Sequence, residues 1–220
     1  MKVLDLTFTY KAGMTGMSKW HPVVTFEKFA TIPEVGMNTS SLLLGSHIAT
    51  HMDAAKHFYD DMYTIDQTPL EKCIGDVTIV DLRDKPERSE ITAADLAKYE
   101  LKERILLLTG WSRYFRTDTQ RYNTQYPFLS LEAAQYCPDH GVKLIAMDIP
   151  SPDQPASMAP PERKFEIHHL MLKNEVIFVE ALAHTDLIDP AKTYEFIALP
   201  LKLEGLDASP CRVVLLEKED

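Results

Sequence analysis

Apolar and polar residues alternate over short stretches in the first third of the chain: VLDLTF near the start, VVTFEKFA from Val23 to Ala30, and NTSSLLLGSHI from Asn38 to Ile48. A period of two predicts β-strands. From Asp76 the texture changes to short apolar runs, DVTIVDL, RILLLTGW, KLIAMD and EVIFVEAL, separated by segments with helical spacing. TAADLAKYE has Thr92 as a candidate N-cap and Asp95 at the third helical position. SLEAAQYCPDHG predicts a helix from Ser130 toward Gly141 that Pro138 would cut short. PERKFEIHHLMLKN carries Phe165, Ile167, Leu170 and Leu172 on a predicted helix. The strand–helix alternation from Arg104 to Leu182 implies parallel neighbours covered by helices. The expected class is α/β, a mixed sheet with a parallel βαβαβ portion.

In an open parallel sheet, ligands bind outside the carboxyl ends of the strands. Those ends place Gly110 and Trp111, Asp148, and Glu180 at a candidate site. Glu180 closes the apolar run EVIFVE, where a carboxylate is costly unless it is paired, protonated or bound to metal. Taken alone it reads equally as a strand-end Glu that reaches water. His168 and His169 lie on the preceding helix, and adjacent helical positions diverge by about 100°, so one of them faces any site and the other does not. The proline-rich loop DIPSPDQPASMAPPERK follows Asp148 as a candidate wall or lid.

The densest chemistry lies in GSHIATHMDAAKHF, where His47, His51, Asp53 and His57 fall at even offsets. An extended backbone would point all four to one side. At a rise of roughly 3.3 Å per residue, however, a straight strand would hold His47 and His51 about 13 Å apart. The segment must therefore bend to bring them around one ion. Imidazole and carboxylate ligands suit zinc, and by ligand type also manganese or iron.

With 220 residues and 45% hydrophobic content, the chain is long enough for one domain spanning 1–220 with a full core. A net charge of −10 without a basic cluster excludes nucleic-acid and anionic-membrane partners. Cys73, Cys137 and Cys211 are odd in number and widely spaced, which argues for core residues in a reducing cytoplasm rather than a disulfide framework. No signal-like or membrane-spanning apolar stretch is present in the sequence, so the expected location is cytoplasmic.

The run from His47 to Phe58 resembles the HxGTHxDxPxHF signature of the cyclase-like metal-dependent hydrolases, which include bacterial kynurenine formamidase and isatin hydrolase. The family's Gly is Ala49 here and its Pro is Ala55. DLT at Asp5–Thr7, DIPSPD at Asp148–Asp153, the HH pair before Glu180, and the ending IALPLKLEGLDASPCRVV extend the likeness over nearly the whole chain. The resemblance implies a kynurenine-formamidase/cyclase-like fold and a homodimer or larger homo-oligomer. It implies one or two divalent metal ions, Zn2+ first and Mn2+ second. It further implies that His47, His51 and Asp53 bind one metal, that Asp53 bridges to a second held by His168 and Glu180, and that His57 exchanges protons.

The family's WPGD element, whose Trp contributes to the substrate pocket, stands here as Trp20, His21, Pro22, Val23. Trp20 is thereby a substrate-binding candidate, with Trp111 and Phe58 as further aromatic walls. The expected activity is hydrolysis of a C–N amide bond in a small aromatic substrate, arylformamidase-like, acting on N-formylkynurenine. An isatin-type cyclic-amide hydrolase is the alternative within the chemistry. A non-catalytic, metal-stabilised binding protein is the alternative outside it, and a structural zinc domain fits least, because such sites are closed and Cys-rich.

Overall fold

The computed structural model describes residues 1–17 and 20–218. Its strands are β1 (Lys2–Asp5), β2 (Thr25–Ala30), β3 (Thr39–Leu43), β4 (His51–Asp53), β5 (Ile74–Asp81), β6 (Glu90–Ile91), β7 (Arg104–Leu108), β8 (Phe128–Leu129), β9 (Leu144–Met147), β10 (Ile177–Glu180), β11 (Tyr194–Pro200) and β12 (Ala208–Glu217). The helices are α1 (Ile32–Val35), α2 (Leu70–Cys73), α3 (Ala93–Leu96), α4 (Thr119–Thr124), α5 (Leu131–Asp139) and α6 (Glu166–Lys173).

Among the described residues the main sheet has eight strands in the order β1-β12-β11-β5-β7-β9-β10-β4. β5, β7, β9 and β10 pair in parallel, and the remaining pairings are antiparallel. The sheet is therefore mixed, as the sequence predicts. It is not open, however. The first residues of β12 pair with β4, Ala208 opposite Asp53 and Pro210 opposite His51, and this pairing closes the strands into a ring. No local pattern announces a contact across some 155 residues.

Closure divides the apolar residues by parity. Met52, Leu106, Leu108, Leu144, Ala146, Val179, Phe196, Val213 and Leu215 form one buried cluster, to which nearly every strand of the ring contributes. Ile105, Leu107, Ile145, Met147 and Phe178 point the other way, toward Ala133, Ala134 and Cys137 of α5 and Ile167, Met171 and Leu172 of α6. Strands buried on both faces explain why 105–108 and LIAM are apolar throughout, while Arg104 at the start of its strand donates to the Asp76 and Glu71 carbonyls. All three cysteines are buried and free.

Several elements depart from the sequence reading. α5 starts at the expected cap, Ser130 Oγ accepting from the Ala133 amide, but it runs on through Pro138 to Asp139. Pro138 has no N–H to return to the Ala134 carbonyl, and the helix ends one residue later, where the His140 amide bonds to the carbonyls of Tyr136 and Cys137. α3 is a single turn closed by the Thr92/Asp95 capping box. The expected helix from Pro161 divides into a 3₁₀ turn at Pro161–Arg163 and α6, because Phe165 adopts φ +62° between them. NTSSLLLGSHI is a strand only as far as Leu43; β3 pairs with β2 in a separate, largely exposed hairpin. No helix among the described residues is long and apolar enough to cross a membrane.

Candidate metal centre

β4 is three residues long, and its alternation sends Met52 into the ring while His51 and Asp53 face outward, toward α6. β10 pairs with it antiparallel, Glu180 opposite His51 and Phe178 opposite Asp53, so the three polar groups share one face. The chain bends on either side of β4, through 46–50 before it and a 3₁₀ turn at Ala55–His57 after it. Those bends bring His47 and His57 back to within 3.9 Å, ring centre to ring centre. Before the strand, Ala49 sits in the left-handed region at φ +48°, which explains the Gly of the related signature: only Gly enters this region without steric cost. Thr50 anchors the bend, donating from Oγ1 to Ala181 O at 2.7 Å and accepting from the Phe8 amide at 3.0 Å.

Asp53 is the centre of the arrangement and is almost fully buried. His47 Nδ1 lies 2.9 Å and His51 Nε2 3.4 Å from its Oδ1, and His168 Nε2 lies 3.5 Å from Oδ2. Glu180 completes the inner side, with Oε2 3.5 Å from His51 Nε2 and Oε1 3.3 Å from His168 Nε2. These contacts lack hydrogen-bond direction: both oxygens of Asp53 and Oε1 of Glu180 are buried with no hydrogen-bond partner. Buried carboxylate oxygens left that way are costly. A divalent cation at the convergence would satisfy them, and the donors form two ligand groups that share Asp53, namely His51/Asp53/Glu180 and His47/Asp53/His57.

Each inner imidazole is oriented from behind. His51 Nδ1 bonds to Ala49 O at 2.8 Å, and His168 Nδ1 bonds to Asp153 Oδ2, whose other oxygen accepts from the Ile167 amide at 2.8 Å. Such partners fix the tautomer and leave Nε2 to face the site. On the outer side, Asp207 Oδ2 lies 2.7 Å from His47 Nε2 and 3.6 Å from His57 Nδ1. Burial lowers the His47 pKa, but Asp53 and Asp207 outweigh it and push it up to about 10. In the same way burial works against the charge on His168, yet Asp153, Asp53 and Glu180 hold its pKa well above the ordinary value. Burial raises Asp53, but its histidine neighbours hold it well below the usual carboxylate range, and Asp207 is depressed against burial by His47 and His57. The carboxylates thus stay ionised and draw positive charge into the centre, as protons on His47 and His168 or as a cation in their place.

The structure brings His47, His51, Asp53, His57, His168 and Glu180 together. It does not bring Trp20 into the cluster: Trp20 is 81% exposed. Its neighbour His21 comes closer, with its ring 6.0 Å from that of His47. Of the other strand-end residues, Trp111 is buried in the helix-side core and donates from its indole to Tyr122 O. Asp148 is buried away from the cluster and satisfied by the Thr109 and Trp111 amides and the Thr109 and Thr185 hydroxyls. His169 points away from the cluster to Tyr59. The start of the proline-rich loop packs behind His168 through Asp153 rather than forming a lid. Sequence reasoning missed Asp153 and Asp207. The first stood inside DIPSPD and the second inside GLDASP, but nothing local marks either as a partner of histidines.

Residues 4–154 match the model of the Cyclase family. The chain belongs to that family. It is 31% identical over 184 residues to kynurenine formamidase of Erythrobacter litoralis (strain HTCC2594), covering 84% of this chain and 79% of the relative. To kynurenine formamidase of Bordetella avium (strain 197N) it is 30% identical over 195 residues, 86% of each. The fold superposes on isatin hydrolase A from Labrenzia aggregata with a TM-score of 0.86 at 20% identity, covering 99% of this chain and 94% of that one. A protein described as a predicted metal-dependent hydrolase from Bacillus stearothermophilus gives 0.76 at 25% identity over 97% of each chain. These likenesses support a hydrolase of the cyclase family.

Proposed function

We propose that this chain is a metal-dependent amidohydrolase that cleaves a C–N amide bond in a small aromatic substrate, arylformamidase-like and acting on N-formylkynurenine. The observation that carries the reading is the convergence of unpartnered, buried Asp53 and Glu180 oxygens with the Nε2 atoms of His51 and His168. On this reading His47, His51, Asp53, His168 and Glu180 hold one or two divalent ions, zinc or manganese, with Asp53 shared. A cation held there supplies Lewis acidity, acidifying water toward neutrality and stabilising an oxyanion.

The protein's own part is to position and to move protons. His57 is half-buried at the outer edge, beside His47 and Asp207, where it can accept a proton from water and return it to the leaving amine. Phe58, 4.5 Å from His57 and 5.4 Å from Phe165, offers an aromatic surface beside those groups. The substrate assignment leans on the two formamidase relatives. The expected homodimer or larger homo-oligomer belongs to the same proposal; its supporting observation is the β2–β3 hairpin, which exposes Phe26, Phe29, Leu42 and Leu43, since two-stranded hairpins are marginal in water by themselves.

The test is turnover of N-formylkynurenine by chelator-stripped protein reconstituted with zinc or manganese, with isatin in parallel. Metal-dependent release of formate is expected. Turnover of isatin alone would move the assignment to cyclic amides, and no metal uptake at all would overturn it.

A further inference from the structure

Asp207 reaches the outer cluster only because the sheet closes. It immediately precedes β12, whose residues Ala208–Pro210 pair with β4, and its loop is tied to the segment after β4 at three points. The Asp207 carbonyl accepts from the Ala54 amide at 2.9 Å, the Leu206 carbonyl from the Ile65 amide at 2.9 Å, and the Gly205 amide donates to Asp66 Oδ1 at 3.0 Å. A carboxylate held so firmly by its backbone can orient whatever it touches.

It touches one imidazole at full hydrogen-bonding distance. The 2.7 Å contact to His47 Nε2 falls within the range of charge-assisted bonds. The 3.6 Å approach to His57 Nδ1 and the 3.5 Å approach to Ser46 Oγ are at or beyond the limit of useful bonding. His47 turns its other nitrogen, Nδ1, to Asp53 Oδ1 at 2.9 Å. In neutral imidazole one nitrogen carries the proton and the other the lone pair. A proton held on Nε2 by Asp207 leaves the Nδ1 lone pair directed at the centre.

We infer that Asp207 is a positioning residue: it accepts from His47 Nε2–H and so fixes the tautomer and ring angle that present Nδ1 as a metal-ligating atom. This rests on the metal-centre reading above. His51 and His168 have equivalent partners in Ala49 O and Asp153, so each of these three imidazoles would be set by an acceptor on its far side.

The test is zinc affinity by chelator competition on wild type, Asp207→Ala, Asp207→Asn, His47→Ala and the Asp207→Ala/His47→Ala double variant, with folding followed by thermal melts. Asp207→Ala is expected to weaken zinc binding by about 10–100-fold, the usual cost of losing such a partner. Asp207→Asn, which keeps an accepting oxygen of the same shape, should recover most of the loss, and it carries the comparison if the alanine variant does not fold. The double variant should bind no more weakly than His47→Ala alone. In zinc-loaded wild type, histidine 15N shifts should report His47 protonated on Nε2, and this signature should be lost in Asp207→Ala. Unchanged affinity in both Asp207 variants, or a loss that persists undiminished without His47, overturns the inference. Wild type that takes up no zinc or manganese overturns the metal-centre reading itself.

Discussion

The inner and outer halves of the centre use the same side chains under different constraints. Inside, His51 and His168 are buried, each with Nδ1 committed to a fixed acceptor and Nε2 facing the Asp53 and Glu180 carboxylates. Outside, His47 is nearly as buried as the inner pair but packs ring against ring with the more open His57, 27% exposed, and both lean on Asp207, whose side chain is 37% exposed. An imidazole with both nitrogens committed can only hold. One whose nearest carboxylate stands 3.6 Å away at the edge of solvent can trade protons. On the proposed reading, the division of labour between binding and proton transfer follows from burial and second partners rather than from residue type.

That comparison is broken most severely at Asp53, which belongs to both halves. Asp53→Asn should lose metal from the whole centre and lower turnover by more than the 10–100-fold expected for an outer partner, checked by metal content after dialysis and by rate. Retention of stoichiometric metal would mean that the halves do not share it. Next, His57→Ala should cut turnover by about 10²–10⁴-fold while keeping the wild-type metal content. Loss of metal instead would make His57 a ligand and merge the two halves. Asp153→Ala should act on the inner half alone, weakening metal affinity by about 10–100-fold, with turnover restored by excess metal.

The smaller effects lie outside the centre and separate stability from chemistry. Thr92→Ala removes the α3 cap and should cost about 1 kcal/mol in urea unfolding without touching metal affinity. Burial raises the Asp95 pKa, but Lys85 and Thr92 hold it well below the usual range. A depressed carboxylate contributes stability that is present above its unfolded pKa, near 3.9, and lost as pH falls through the folded value. The Thr92→Ala deficit should therefore shrink in acid. Ala49→Gly should relieve the φ +48° strain, partly offset by the freedom Gly gains when unfolded, for a net stabilisation of about 0.5–1 kcal/mol.

Much of the scaffold was legible because it is local. The capping box at Thr92 and Asp95, the Ser130 cap, and the doubly buried strands Arg104–Leu108, Leu144–Met147 and Ile177–Glu180 each leave a periodic or compositional mark. The even spacing of His47, His51, Asp53 and His57 and the demand for a bend could also be read directly, since rise per residue is fixed. Trp20, carried over from a motif that survives here only in part, stands exposed and outside the cluster; of the strand-end carboxylates singled out by the open-sheet rule, Glu180 joins the cluster and Asp148 is spent on Thr109, Trp111 and Thr185.

The sequence by itself therefore determined the strands, the caps and the ligand-rich bend, because hydrogen-bond geometry and side-chain parity act over a few residues. Only the tertiary structure decided which carboxylates meet which imidazoles. Asp153 reaches His168 because α6 packs over β10, and Asp207 reaches His47 across 160 residues because β12 pairs with β4. Closure of a sheet is a long-range contact whose stability comes from the apolar cluster it buries inside the ring, and no local pattern encodes which distant strand will complete it.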